Sequence, residues 1–147
     1  MEIFQFAAVL SCTLFTGAAI YINLVEHPAR MLQDTRTAAL VWAPSYKRAT
    51  VMQASLAVVS TLCGLAAAYF TDQWWWAFAA LLIGAVVPFT LIVIMPTNQM
   101  LLDPARDLAS PETRVLLEKW ARLHAVRSLL GLLASIAYLI LTLGPKP

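Results

Sequence analysis

Four stretches, each long and apolar enough to cross a lipid bilayer, leave this chain few ways to fold. A membrane-crossing helix needs about 20 mostly apolar residues. Residues 3–25, 48–70, 74–95 and 125–143 meet that requirement. In hydrocarbon every backbone polar group must be satisfied inside the segment itself, so runs of this kind are helices. The links between them are short, which turns each helix back against the one before it. The expected fold is therefore all-α, a single domain over residues 1–147 built as a four-transmembrane-helix antiparallel bundle. Composition agrees. The chain is 61% hydrophobic and 12% charged, with a mean hydropathy of +0.73; soluble domains carry roughly twice that charge.

The punctuation is read from prolines and polar clusters. Pro28 is expected to stop the first span, because proline lacks the N–H and its ring clashes with the preceding turn. Residues 29–43 mix polar and apolar side chains and read as a short interfacial segment between helices one and two, anchored by Trp42 and ended by Pro44. Trp74, Trp75 and Trp76 open the third span as an interfacial belt. Pro88 should kink that span and Pro96 should end it, with residues 99–109 as a loop. Ser110-Pro111-Glu112 is a helix start: an N-cap serine, a first-turn proline and an acid near the positive helix end. The fourth helix then runs to about Leu143, several turns longer than the bilayer core, and Gly144-Pro145 terminates it. The first span lacks the basic flank and cleavage site of a signal peptide and is read as a retained helix.

Charge sets an orientation. Every Lys and Arg except Lys146 falls in the links after spans one and three or at the base of helix four. That bias predicts cytoplasmic loops at 26–47 and 96–124 and both termini on the outer side. A net charge of +2, mixed in sign, gives no grip on nucleic acid. Cys12 and Cys63 lie in apolar runs without a Cys-x-x-Cys pair. They read as packing residues, not as a redox or zinc site.

Polar residues gather at the cytoplasmic helix ends. Tyr21, Asn23, Glu26 and His27 close span one. Tyr46, Arg48 and Gln53 open span two, Asn98 follows span three, and Trp120, His124, Arg127 and Ser128 enter span four. Asn23 and His27 are four apart and share a helix face. Trp120, His124 and Arg127 form an i, i+4, i+7 stripe, and Tyr46 and Gln53 are seven apart. Arg127 and Gln53 lie inside their spans, where polar side chains are costly unless partnered. The expected partner of Arg127 is Glu26 or a bound anion, with Arg30 the competing partner of Glu26. The candidate catalytic residues are His27, His124, Arg127 and Asn98. Tyr21, Asn23, Glu26, Tyr46, Arg48, Gln53 and Trp120 are the candidate substrate contacts. Two histidines and a carboxylate also resemble the ligand set of a non-haem iron site, and copper can use the same groups. A single Fe or Cu ion on His27, His124 and Glu26 is the alternative to a site without a cofactor. Glu26 and His27 are adjacent, so that set requires the helix end to unwind.

The same residues carry a family resemblance. Gly17-Ala-Ala-Ile-Tyr21, Glu26-His27-Pro28-Ala29-Arg30, Pro44-Ser-Tyr46-Lys-Arg48-Ala49, Pro96-Thr97-Asn98 and Trp120-Ala-Arg-Leu-His124-Ala-Val-Arg127-Ser128 occur in an order similar to the anthrone oxygenase-like family of small four-helix membrane proteins. The resemblance implies dioxygen-dependent oxidation of a hydrophobic aromatic of the anthrone or phenol type. A histidine would serve as base, with Arg127 and Asn98 as donors to the developing oxyanion. The lipid bilayer and a hydrophobic small molecule are then the partners, with a homo-oligomer left open. Two other classes compete: a non-catalytic membrane protein that binds a lipid or protein, and a small transporter. The transporter reading is weakened by the sparsely polar middles of spans two and three.

Overall fold

The computed structural model of the chain describes residues 1–144, so Pro145, read as part of the last helix stop, and Lys146, read as the lone outer-face charge, lie outside the described residues. The described residues form four long helices: α1 (Glu2–Arg30), α2 (Thr35–Thr71), α3 (Trp75–Leu102) and α4 (Pro111–Leu143). All four are long and apolar enough to cross a membrane. α1 and α3 each pack against both α2 and α4, which closes a square antiparallel bundle.

The bundle is inverted relative to a soluble domain. Ile3, Phe6, Leu62, Leu81, Ile92 and Ile140 are largely exposed, whereas His27, Gln53, Asn98, His124 and Arg127 are buried. Continuous apolar cover on this scale belongs to a protein whose solvent is lipid. Small residues let the helices approach. Ala8, Ala57, Ala67, Ala79, Ala80 and Ala134 are buried around Phe15, Trp76 and Tyr138, the packing expected where lipid supplies no hydrophobic drive between helices. A Cβ on Gly64 would lie 2.0 Å from the Tyr138 hydroxyl, and one on Gly131 would lie 2.8 Å from Thr16 Oγ1. Hydroxyls join the helices at this level: Tyr138 donates to the Ser60 carbonyl (3.2 Å) and Ser60 to the Ala8 carbonyl (2.9 Å).

Three of the expected breaks are not breaks. α1 continues through Pro28 to Arg30, and α3 continues through Pro96 to Leu102. In both helices a five-residue π segment ends two residues before the proline: Ile22–Glu26 before Pro28 and Thr90–Ile94 before Pro96. The His27 N–H reaches back five residues to the Ile22 carbonyl, and Met95 likewise to Thr90. The widened turn moves aside the carbonyl that the proline ring would otherwise strike. Pro44 lies within an uninterrupted α2. The interfacial segment expected at 29–43 is therefore the last turn of α1, a link at 31–34 and the first turns of α2. Pro88 does disturb α3: its hydrogen-bond pattern is interrupted at Ala85, beside the Gly84 carbonyl that Pro88 cannot serve.

Capping fixes where the helices begin. Ser110 caps α4, accepting from the Thr113 N–H at 3.2 Å, as its sequence predicts. Asp34 caps α2, accepting from the N–H (3.0 Å) and hydroxyl (2.7 Å) of Thr37. Those bonds hold the exposed Asp34 carboxyl below its usual range, so its capping contribution is present near neutrality and is lost as acid protonates it. Arg114 of α4 donates to the Met31 and Gln33 carbonyls, which ties the first link to the start of α4. Trp74 and Trp75 are exposed at the head of α3, but Trp76 is 1% exposed and packs on Tyr138, so only two of the three tryptophans face outward.

Candidate functional site

At the end of the bundle bearing the links 31–34 and 103–110, the helix ends carry a second core around Ile22, Trp42, Ile94, Leu117 and Trp120. Trp42 stacks on Tyr46 one turn along α2 (centroids 4.9 Å apart, 7° between planes) and meets Trp120 of α4 edge-on at 5.7 Å. This aromatic wall borders a cavity of about 10 Å³, room for roughly one water-sized species. Arg30, Trp42, Tyr46, Gln53, Trp120, His124 and Arg127 line it. Ser45, Tyr46, Ala49 and Thr50 form its half-buried rim on α2. A larger groove of about 690 Å³ opens outward at the opposite end, lined mainly by apolar side chains such as Phe6, Val9, Phe70 and Leu139.

His124 is set by its neighbours. The Asn23 amide nitrogen donates to the Ala121 carbonyl (3.0 Å), which fixes the amide orientation. Asn23 Oδ1 therefore faces His124 Nδ1 (2.7 Å) and the Ser128 hydroxyl (2.6 Å) and accepts from both. Nδ1 of His124 must carry a proton, which leaves the lone pair of the neutral ring on Nε2. No hydrogen bond to that Nε2 occurs among the described residues. His27 has the other tautomer. Arg30 Nη1 lies 3.2 Å from His27 Nδ1. A guanidinium only donates, so Nδ1 accepts and Nε2 carries the hydrogen. That Nε2 is buried without a partner. Both imidazoles pack on Trp120, at 5.4 Å for His27 and 4.9 Å for His124.

Arg127 does not meet Glu26. Its Nη2 donates to Gln53 Oε1 (2.9 Å), and its guanidinium lies 5.7 Å from the Phe15 ring centroid. Glu26 instead pairs with Arg30 and accepts from Ser45. The π segment accounts for the difference, because it turns the end of α1 toward α2 while Arg127 lies one turn deeper on α4. Of the two partners open to Glu26, the structure selects Arg30.

The expected residues divide as follows. Tyr46, Gln53, Trp120, His124 and Arg127 line the cavity, and Asn23 holds His124 from behind. His27 packs behind Trp120. Asn98 is buried and donates to the Tyr46 hydroxyl at 3.0 Å, outside the cavity lining. Tyr21 is 56% exposed and Arg48 is exposed, so neither joins the cluster. Among the described residues no three His, Cys, Asp or Glu side chains converge to hold a metal, so the Fe or Cu set of His27, His124 and Glu26 is not assembled. Its carboxylate is committed to Arg30 and Ser45, and each histidine turns Nδ1 to a different neighbour. Trp42 and Arg30 belong to the cavity and were not anticipated. Trp42, Tyr46, Ala49 and Gln53 make one continuous helical stripe, a signal lost once Pro44 is taken as a break.

Fold and site together define a small multi-pass membrane protein with a buried polar pocket at one end of its bundle. The chain belongs to the anthrone oxygenase family. The family model described as Anthrone oxygenase matches residues 42–137. Relatives include anthrone oxygenase tpcL of Aspergillus fumigatus, 32% identical over 90% of this chain and 88% of its own length. AgnL2 of Paecilomyces divaricatus is 30% identical over 90% of each chain. The nsrD protein of Aspergillus novofumigatus is 30% identical over 83% of this chain and 82% of its own. No solved structure matches the chain.

Proposed function

We propose that this protein oxidises a hydrophobic anthrone-like aromatic with dioxygen, using His124 as the base and no metal or organic cofactor. One anthrone and one dioxygen give one anthraquinone and one water. The observation that carries the reading is the tautomer of His124: Asn23 holds its Nδ1–H and leaves Nε2 free to take a proton, beside a cavity rich in hydrogen-bond donors. The same reading extends to this chain the substrate class in the names of its relatives.

The steps follow from the substrate's chemistry. His124 Nε2 removes a proton from the acidic carbon between the rings, giving a carbanion delocalised onto the carbonyl oxygen. One electron passes from it to dioxygen, and the radical and superoxide join in a C–O bond. The protonated His124 returns its proton to the resulting peroxide. Loss of the second proton from the same carbon, with cleavage of the O–O bond and departure of water, leaves the quinone. Tyr46 replaces Asn98 as the donor to the carbonyl oxygen. Its hydroxyl oxygen already accepts from Asn98, so its hydrogen is directed elsewhere. Three fused rings need several hundred cubic ångströms. The aromatic therefore lies on the rim at Ser45, Tyr46, Ala49 and Thr50, with only its reacting edge turned inward.

The test is dioxygen uptake by purified protein supplied with an anthrone. One dioxygen consumed per quinone formed, well above spontaneous autoxidation and abolished under argon, is the expected result. A rate equal to the protein-free control removes the proposal. The polar end is assigned to the cytoplasm. In a Cys12→Ala, Cys63→Ala background, Arg36→Cys and Lys119→Cys are both exposed positions at that end and should react with an impermeant maleimide only after cells are opened. Labelling of intact cells would reverse the assignment.

A further inference from the structure

Arg127 is 7% exposed and lies within a membrane-spanning helix, yet no ion pair to it occurs among the described residues. Its partners are the neutral Gln53 amide and the face of Phe15. A guanidinium is charged near neutral pH, and an uncompensated charge inside a membrane bundle is costly. The cavity beside it repeats the imbalance. Arg127 Nε, Gln53 Nε2, Trp42 Nε1 and Arg30 Nε are all buried without partners, and all four belong to residues that line the cavity. Every one is a donor. The orientation of Gln53 is not arbitrary, since Arg127 requires its oxygen and so turns its NH₂ away. No carboxylate lines the cavity, because Glu26 is engaged by Arg30 and Ser45.

We propose that this cavity is a binding site for one small monovalent anion, and that during the reaction its occupant is superoxide. The first half rests on charge and hydrogen-bond geometry alone; the second rests on the function proposed above. A space of about 10 Å³ excludes the aromatic, and a small anion can be seated only where the cavity opens toward its half-buried rim. Placing the anion between Arg127, Gln53 and Trp42 supplies the missing counter-charge and satisfies donors that otherwise have no acceptor. In turnover, the electron leaving the substrate carbanion then arrives on dioxygen where positive charge is already fixed, which favours the transfer.

The anion site is tested without any turnover. The midpoint of thermal unfolding in detergent is compared in sodium bromide and in sodium gluconate at equal ionic strength. Bromide, far more compact than gluconate, should raise the wild-type midpoint by about 3 °C or more at concentrations well above its dissociation constant. Gln53→Leu should reduce the shift. Arg127→Met should abolish it while unfolding no earlier than wild type in gluconate, because the charge that needed compensation is gone. Equal wild-type midpoints in the two salts, or an undiminished shift in Arg127→Met, overturns the site. The superoxide half is read from inhibition: bromide should compete with dioxygen and not with the anthrone. Competition with the anthrone instead overturns that assignment. A wild type that shows the bromide shift but no anthrone turnover removes the oxygenase reading and superoxide with it, and leaves the anion site standing.

Discussion

His124→Gln should lower anthrone turnover by about three orders of magnitude, the middle of the range for losing a positioned general base. Glutamine keeps a polar side chain at the position but has no basic nitrogen. The Km for the aromatic should change little, because the rim that holds the rings lies on α2. Asn23→Leu tests the same base from behind. It removes the acceptor that His124 Nδ1–H and Ser128 share, so the ring is no longer held in one tautomer. A loss of about 10²-fold in kcat is expected, comparable to removing a group that orients a functional histidine. Asn23→Asp keeps the acceptor and should fall between wild type and Asn23→Leu. Stopped-flow formation of the quinone, with dioxygen and anthrone varied separately, measures each. Full activity in His124→Gln would eliminate the histidine as base.

The largest expected effect on stability lies at the other end of the bundle. Gly64→Ala should destabilise the fold by about 2–3 kcal/mol, near the upper range for overpacking. The added methyl would sit 2.0 Å from the Tyr138 hydroxyl and 2.9 Å from Ala80 Cβ, and Tyr138 is fully buried and cannot swing aside. Tyr138→Phe alone should cost about 1 kcal/mol by losing its bond to the Ser60 carbonyl. It also removes the atom nearest the intruding methyl. The double variant should therefore be less destabilised than the sum of the two, a coupling that a double-mutant cycle in detergent unfolding reads directly. Additive effects would show that the clash is relieved by backbone movement and not at Tyr138.

The number of helices, their antiparallel order and the gathering of polar residues at one end were legible from hydropathy and spacing. They depend on runs of about 20 residues and on 3.6-residue periodicity, both of which are local properties. Ser110 as the α4 cap was legible for the same reason. The prolines misled, because the rule that proline ends a helix assumes an α register, and nothing in Ile22–Glu26 or Thr90–Ile94 announces a change to π. Losing the α2 stripe through Pro44 hid Trp42 from the site and made it look like an anchor. The partner of Arg127 was not legible at all. Glu26 and Gln53 both lie at plausible depth, and only the rotation of the α1 end decides between them. The tautomers of the two histidines follow from contacts about a hundred residues apart in one case and three in the other, and spacing reveals neither.

The widened turn before Pro28 makes the end of α1 sensitive to residue count. A residue advances an α-helix by about 100°, and the π turn absorbs one extra residue, so an ordinary ladder formed over the same Ile22–Glu26 residues would swing everything beyond it by about that angle. His27 and Arg30 would leave the interior, and Glu26 would lose Ser45. In a chain otherwise built from repetitive apolar sequence, where a shift by one position changes little in character, this segment and its counterpart before Pro96 act as phase markers. A one-residue deletion there, which an ordinary α turn absorbs with the phase beyond it kept, should be tolerated far better than an insertion.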